Sequence, residues 1–176
     1  AFYNRHWKGV FYPEKLAANK WFEYYCEHFD TIELNGTFYK FPTPESLQKL
    51  YARSPENFLF SVKAPKSITH LKKMSDCREQ VEDFYAACAK GLGDKLACLL
   101  FQLPPSFQYS SENLEKVLRY LDPSFKNVVE FRHGSWWRSD VYEALAGRSL
   151  TFCSVSYPGL PDSVIANIPR IYLRLH

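Results

Sequence analysis

The sequence predicts an α/β fold: a single domain over residues 1–176 that forms most of a (β/α)8 barrel of the TIM type. Three observations predict it. Six short apolar segments of strand character alternate with amphipathic segments of helical period. No G-x-G-x-x-G or P-loop glycine motif follows any of the six. Polar residues recur on one parity of the strands. Alternation of this kind implies right-handed crossovers and a parallel sheet. Six strands fit an open doubly wound sheet or part of a closed barrel. Missing phosphate loops weaken the first, and a polar parity, hard to bury under helices on both faces, suits the inside of the second.

The predicted strands are 31–35, 58–63, 96–103, 127–132, 150–156 and 170–176, each short and rich in β-branched or large apolar residues. A helix is predicted over 15–28, with Trp21, Tyr24, Tyr25 and His28 at three- and four-residue spacing. Thr43 followed by Pro44 reads as an N-cap and first helical residue, with Leu47, Leu50 and Tyr51 inward. Ser75 opens the next helix, whose face is Val81, Phe84, Tyr85 and Cys88 and whose end is Gly91. Ser111 caps a helix carrying Leu114, Val117, Leu118 and Leu121, with Pro123 beyond it, and a shorter helix covers 140–146 and stops at Gly147. Between Ser156 and Arg170 the chain is too rich in proline for a full helix.

Hydrophobic residues make up 46% and aromatics 17% of the 176 residues, which excludes disorder and calls for a bulky core. A net charge of +3 argues against a dedicated nucleic-acid binder but leaves room for a local basic patch. The five cysteines form no C-x-x-C pair, so a reducing compartment is expected, with neither disulfides nor zinc. No apolar run is long enough to span a membrane, and the first residues lack the layout of a signal peptide, so a cytoplasmic location is expected.

Residues two apart on a strand share a side. Glu33 pairs with Asn35, Ser61 with Lys63, Glu130 with Arg132, Ser154 with Ser156, and Arg174 with His176, while Gln102 stands alone near its strand's end. Polar inward residues near the carboxyl ends of barrel strands form the floor of the usual barrel site. Glu33, Asn35, Lys63, Gln102, Glu130, Arg132, Arg174 and His176 are therefore the candidate site. The plain alternative is an ion-pair network that fills the upper barrel and binds nothing.

These segments resemble the YecE-like family, domain of unknown function 72. The matching stretches are Trp7-Lys8-Gly9 with Phe11-Tyr12-Pro13, Glu33-Leu34-Asn35 with Thr37-Phe38-Tyr39, Phe60-Ser61-Val62-Lys63 and Ile68-Thr69-His70. They continue through Phe101-Gln102-Leu103-Pro104-Pro105, Glu130-Phe131-Arg132-His133 with Ser135-Trp136, and Arg174-Leu175-His176. The resemblance implies a TIM barrel with a site at the strand ends and no established reaction. It also implies a strand before the Trp-Lys-Gly segment and further elements after Arg-Leu-His. The six strands would then be the second to seventh, with the first and last missing.

The leading functional expectation is an enzyme acting on a small phosphorylated or carboxylated, sugar-like metabolite. Arg132, Arg174 and Lys63 would hold the anion, since guanidinium forks suit phosphate and carboxylate. Asn35 and Gln102 would orient it, His70 would join from the KAPKSITHLKK loop, and Glu130, Glu33 and His176 would handle protons. Lys66, Lys72 and Lys73 of that loop read equally well as a solvated rim. Trp7, Tyr12, Phe38, Tyr39, Trp136 and Trp137 follow strand ends, and Trp136 is taken as a stacking platform, although most such rings pack in cores. No cofactor is expected. A divalent metal on Glu33, Glu130 and His176 is the alternative, opposed by the neighbouring cations and by the lack of a ligand-spacing motif. A nucleic-acid-binding or repair barrel is the rival class, not favoured by the charge, and a non-catalytic binding module is the third. The sequence sets no oligomeric state.

Overall fold

The structure, a computed structural model, describes residues 2–176. Six strands form one wholly parallel sheet in the order β1 (Thr31–Leu34), β2 (Leu59–Lys63), β3 (Leu96–Gln102), β4 (Asn127–Glu130), β5 (Thr151–Ser156) and β6 (Tyr172–Leu175). Every strand falls inside its predicted range, trimmed at the ends. The sheet is curled. Side chains of β6 cross the concave side to reach β1, where Tyr172 and Arg174 both bond Glu33.

The helices on the convex side are α1 (Trp21–Cys26), α2 (Pro44–Arg53), α3 (Arg78–Leu92), α4 (Ser111–Tyr120) and α5 (Ser139–Ala146). Their ends correct several expectations. The helix expected over 15–28 contracts to α1 behind a short 3-10 turn at Ala18–Lys20. Thr43 caps α2 as its sequence predicts, and Ser46 adds a reciprocal bond beyond that expectation. Tyr51 is exposed rather than inward, its hydroxyl donating to Asp94. Cys77, not Ser75, precedes α3. That helix runs through Gly91 to Gly93, whose φ of +49° favours glycine at the stop. Gly91 serves packing instead: a Cβ there would lie 2.5 Å from Leu47 Cβ and 3.0 Å from the Pro44 carbonyl, so α2 crosses α3 at this glycine. Ser110, not Ser111, caps α4 by accepting from the Asn113 amide. No helix forms between β5 and β6.

Strand parity divides the core. Ile32, Leu34, Phe60, Val62, Leu99, Phe101, Val129, Phe131 and Phe152 pack outward against the helices. Cys98, Leu100, Val128, Cys153 and Val155 form a separate inner cluster with Tyr172. Glu33, Ser61, Lys63, Gln102, Glu130, Arg132 and Arg174 share the inner parity. The inner wall is thus apolar low down and polar toward the carboxyl ends. In β5 the expectation was reversed: Cys153 and Val155 face inward, and Ser154 faces outward, its hydroxyl accepting from the Ile165 amide. No helix of the described residues is long and apolar enough to cross a membrane.

Candidate functional site

At the carboxyl ends of the strands, four charged groups lock together. Arg174 of β6 grips Glu33 of β1 with two bonds, Nε to Oε2 at 3.1 Å and Nη2 to Oε1 at 2.8 Å. Its Nη1 donates to Glu130 Oε2 of β4 at 2.6 Å. The other oxygen of Glu130 accepts from Arg132 Nε. The Tyr172 hydroxyl completes Glu33, donating to Oε2 at 2.7 Å. Side-chain exposure is 0% for Glu130, 7% for Arg132 and 12% for Arg174, so this chain of charges is largely shielded from water.

Burial opposes ionisation of Glu33, but hydrogen bonds from Arg174 and Tyr172 outweigh it and hold its carboxyl below the ordinary range, with Asn35 contributing. Burial likewise opposes the charge of Arg174, and Glu130 and Glu33 more than offset it, raising its pKa. Asn35 follows β1 beside this network, and its own Oδ1 is buried without a partner.

Lys63 stands differently. Its Nζ donates to Gln102 Oε1 at 2.5 Å and lies 4.5 Å from the centre of the Phe38 ring. Neither acceptor is a carboxylate. Burial, then Arg174, push its pKa down, with Glu130 and Glu33 opposing. Thr37, in the same 3-10 turn as Phe38, ties this corner together: its hydroxyl donates to the Lys63 carbonyl at 2.6 Å and lies 2.9 Å from that of Leu34. Two carboxylates therefore face three cations, and Lys63 is the surplus one.

Two imidazoles border the cluster, both pushed below the ordinary histidine value. For His176 the causes are burial, then Arg132 and Arg174; for His70, burial, then Lys63 and Arg132. His176 Nε2 is 2.8 Å from Arg132 Nη2. A guanidinium only donates, so that nitrogen is the acceptor and the imidazole is neutral. His70 sits in a π-helical turn, Ser67–Leu71, with its ring edge-on to Phe38 at 4.8 Å.

Of the sequence-predicted site, Glu33, Asn35, Lys63, His70, Gln102, Glu130, Arg132, Arg174 and His176 come together. Trp136 does not. It is fully buried, stacked on Phe131 at 3.9 Å and on Phe107 at 5.5 Å, with its indole N–H donating to the Phe107 carbonyl. Tyr12 is also a core ring, stacked on Trp21. Lys66, Lys72 and Lys73 are exposed, the solvated-rim reading. Nor do Glu33, Glu130 and His176 form a metal ligand set, because their acceptor atoms face guanidiniums.

The family model for the protein of unknown function DUF72 matches residues 1–176. The chain belongs to the DUF72 family. Among curated relatives, this DUF72 chain is 31% identical over 140 residues to the UPF0759 protein YunF of Bacillus subtilis, covering 75% of this chain and 49% of that protein. It is 28% identical over 131 residues to the UPF0759 protein YecE of Escherichia coli, covering 73% and 47%. The chain thus spans about half the length of the curated relatives it matches. A crystal structure of a DUF72 family protein from Thermotoga maritima superposes with a TM-score of 0.87 at 34% identity, covering 100% of this chain and 72% of that one. A DUF72 family protein from Enterococcus faecalis matches with a TM-score of 0.75 at 20% identity, covering 88% and 68%, a likeness of fold alone.

Three residues that touch this cluster lie outside the candidate set read from the sequence. Tyr172 shares the inner parity with Arg174, and that spacing would have found it. Tyr157 lies under the Arg132 guanidinium at 4.3 Å and edge-on to His176. Thr69 bonds His70. Nothing in the strand pattern marks Tyr157, and Thr69 enters only as part of the Ile68-Thr69-His70 stretch.

Proposed function

We propose that the DUF72 sheet is the larger part of a TIM-type (β/α)8 barrel whose mouth binds a small anionic, sugar-like metabolite and acts on it as an enzyme. Consecutive parallel strands and a polar layer at their carboxyl ends support the barrel. Five free cysteines suit a reducing cytoplasm.

One observation carries the binding reading: Lys63 is half-buried and its hydrogen-bond acceptor is the neutral Gln102. The arginines assigned to the anion by sequence are already spent on carboxylates, so they serve as scaffold. Lys63 becomes the anchor, with Gln102 orienting it, and the Phe38 ring offers an apolar face to a sugar. Glu130 has both oxygens engaged and Glu33 accepts three donors, so proton exchange falls to the imidazoles. An ammonium has three donors, of which Gln102 takes one.

Calorimetric titration with inorganic phosphate and with glucose 6-phosphate tests this. Both should bind, the sugar phosphate more tightly, and Lys63→Gln should weaken both at least tenfold. Absence of binding, or equal binding by Lys63→Gln, overturns the reading. Salt-sensitive binding of a short oligonucleotide that outcompetes glucose 6-phosphate would replace it with the nucleic-acid class.

A further inference from the structure

If the mouth acts on an anion as proposed above, one of its groups must move a proton. The candidates are His70 and His176. In His176, Nε2 accepts from Arg132 at 2.8 Å and lies 3.4 Å from Arg174 Nη1, so its lone pair is blocked by cations that cannot release it. His70 is differently held. Its Nδ1 is 3.0 Å from the hydroxyl of Thr69, a residue with no exposed surface, and that hydroxyl reaches the Pro65 carbonyl at 3.4 Å.

A threonine hydroxyl has one hydrogen, and a carbonyl only accepts. Both contacts are satisfied together in one arrangement alone. Thr69 donates to Pro65, and its oxygen accepts from Nδ1–H of His70. The proton of the neutral imidazole is then on Nδ1, and Nε2 carries a free lone pair. The π-helical turn makes this possible by placing Thr69 over the carbonyl four residues back while His70 turns toward Phe38 and Lys63. Such turns are frequent at functional sites.

We propose that His70 is the proton-transfer group of the mouth, acting through Nε2, and that Thr69 is the positioning residue that fixes its tautomer. The charged groups bearing on His70 are Lys63 from β2, Arg132 from the segment after β4, and Glu130 from β4. The two cations favour the neutral base, and Glu130 opposes them. A phosphate seated on Lys63 would add negative charge beside His70 and favour its protonation. Anion binding would then draw a proton onto Nε2 from solvent: an N–H bond forms there, and the imidazole becomes the cation that can return the proton to a leaving oxygen.

Nitrogen-15 NMR of the His70 ring reads the tautomer directly in the free protein. The Nδ1–H form should dominate in the wild type. Thr69→Val should remove that preference, while Thr69→Ser, which restores the hydroxyl, should retain it. Lys63→Gln should raise the His70 titration midpoint without changing the tautomer. A dominant Nε2–H form, or a Thr69→Val variant whose folded spectrum and tautomer both match the wild type, overturns the positioning role. Phosphate titration in buffers of different ionisation enthalpy provides the second arm. Proton uptake on binding, lost in His70→Gln, is expected. Phosphate that binds without proton uptake overturns this inference and leaves the anion reading standing, whereas a failure to bind removes both.

Discussion

Arg174 is the keystone of the charged network, and its removal should expose the cost of burying the rest. In Arg174→Met, Glu33 loses two guanidinium bonds and Glu130 loses one, while the buried Glu130 keeps only Arg132. The local balance falls from one surplus cation to none, with Glu33 left only its Tyr172 bond among those observed. Breaking one partner out of a buried ion pair typically costs about 3–5 kcal/mol, because the remaining charge stays desolvated. Arg174 is 12% and Glu33 20% exposed, so some water returns, and we place the expected loss at about 3 kcal/mol. With roughly 2–4 °C per kcal/mol for a domain of this size, the melting temperature should fall by about 6–12 °C. Urea unfolding with the slope held constant gives the free energy. The double variant Glu33→Gln with Arg174→Met should recover about 1 kcal/mol or more of the loss, since coupled partners do not add. A loss under about 1 kcal/mol, or strict additivity in the cycle, would refute the view that these charges are shielded and mutually dependent.

Three further outcomes follow from other parts of the fold. Gly91→Ala should destabilise by about 1–2 kcal/mol in urea unfolding despite alanine's better helix propensity, because the new Cβ meets Leu47 Cβ and the Pro44 carbonyl, neither of which can swing away. Lys95 is buried and its Nζ donates to the Tyr51 and Ser54 carbonyls at the end of α2, so Lys95→Met should cost about 1–3 kcal/mol in the same assay. Stability should also fall on acidification in two stages. The depressed pKa values of His70 and His176 mean the unfolded chain binds more protons below about pH 6.5, and the depressed Glu33 adds its loss below about pH 4.5. Urea unfolding at pH 7.5, 5.5 and 4 checks this, and Glu33→Gln should shrink the lower stage without abolishing it, because Glu23, Glu45, Glu112 and Asp140 are depressed as well.

Strands were the most legible part of this chain, because buried parallel strands read as compact apolar runs and six of them stood clear of their neighbours. Helix termini were less legible for a specific reason. Ser110 and Ser111 are adjacent, as are Gly91 and Gly93 but for one residue, and only backbone geometry decides which serine caps α4 and which glycine stops α3. The parity rule put Glu33, Lys63, Glu130, Arg132 and Arg174 on one inner face because each lies on or just beyond its strand. It failed in β5, where Cys153 and Val155 take the inner parity and the outward Ser154 hydroxyl accepts from the Ile165 amide. Trp136 was misplaced for a similar reason: a loop position does not say whether a ring faces the mouth or the core beneath it. The pairing itself was hidden. Arg174 and Glu33 are 141 residues apart, and nothing local says that they share a bond. That pairing is the basis for our proposal that the arginines act as scaffold and that Lys63 anchors the anion.

The most direct measurement of that claim is a crystal of the protein soaked in tungstate, located by its anomalous signal. An oxyanion is expected within hydrogen-bonding distance of Lys63 Nζ, with Arg174 still bridging Glu33 and Glu130. An oxyanion seated on Arg132 or Arg174 with either carboxylate displaced, or no oxyanion at Lys63, would contradict it.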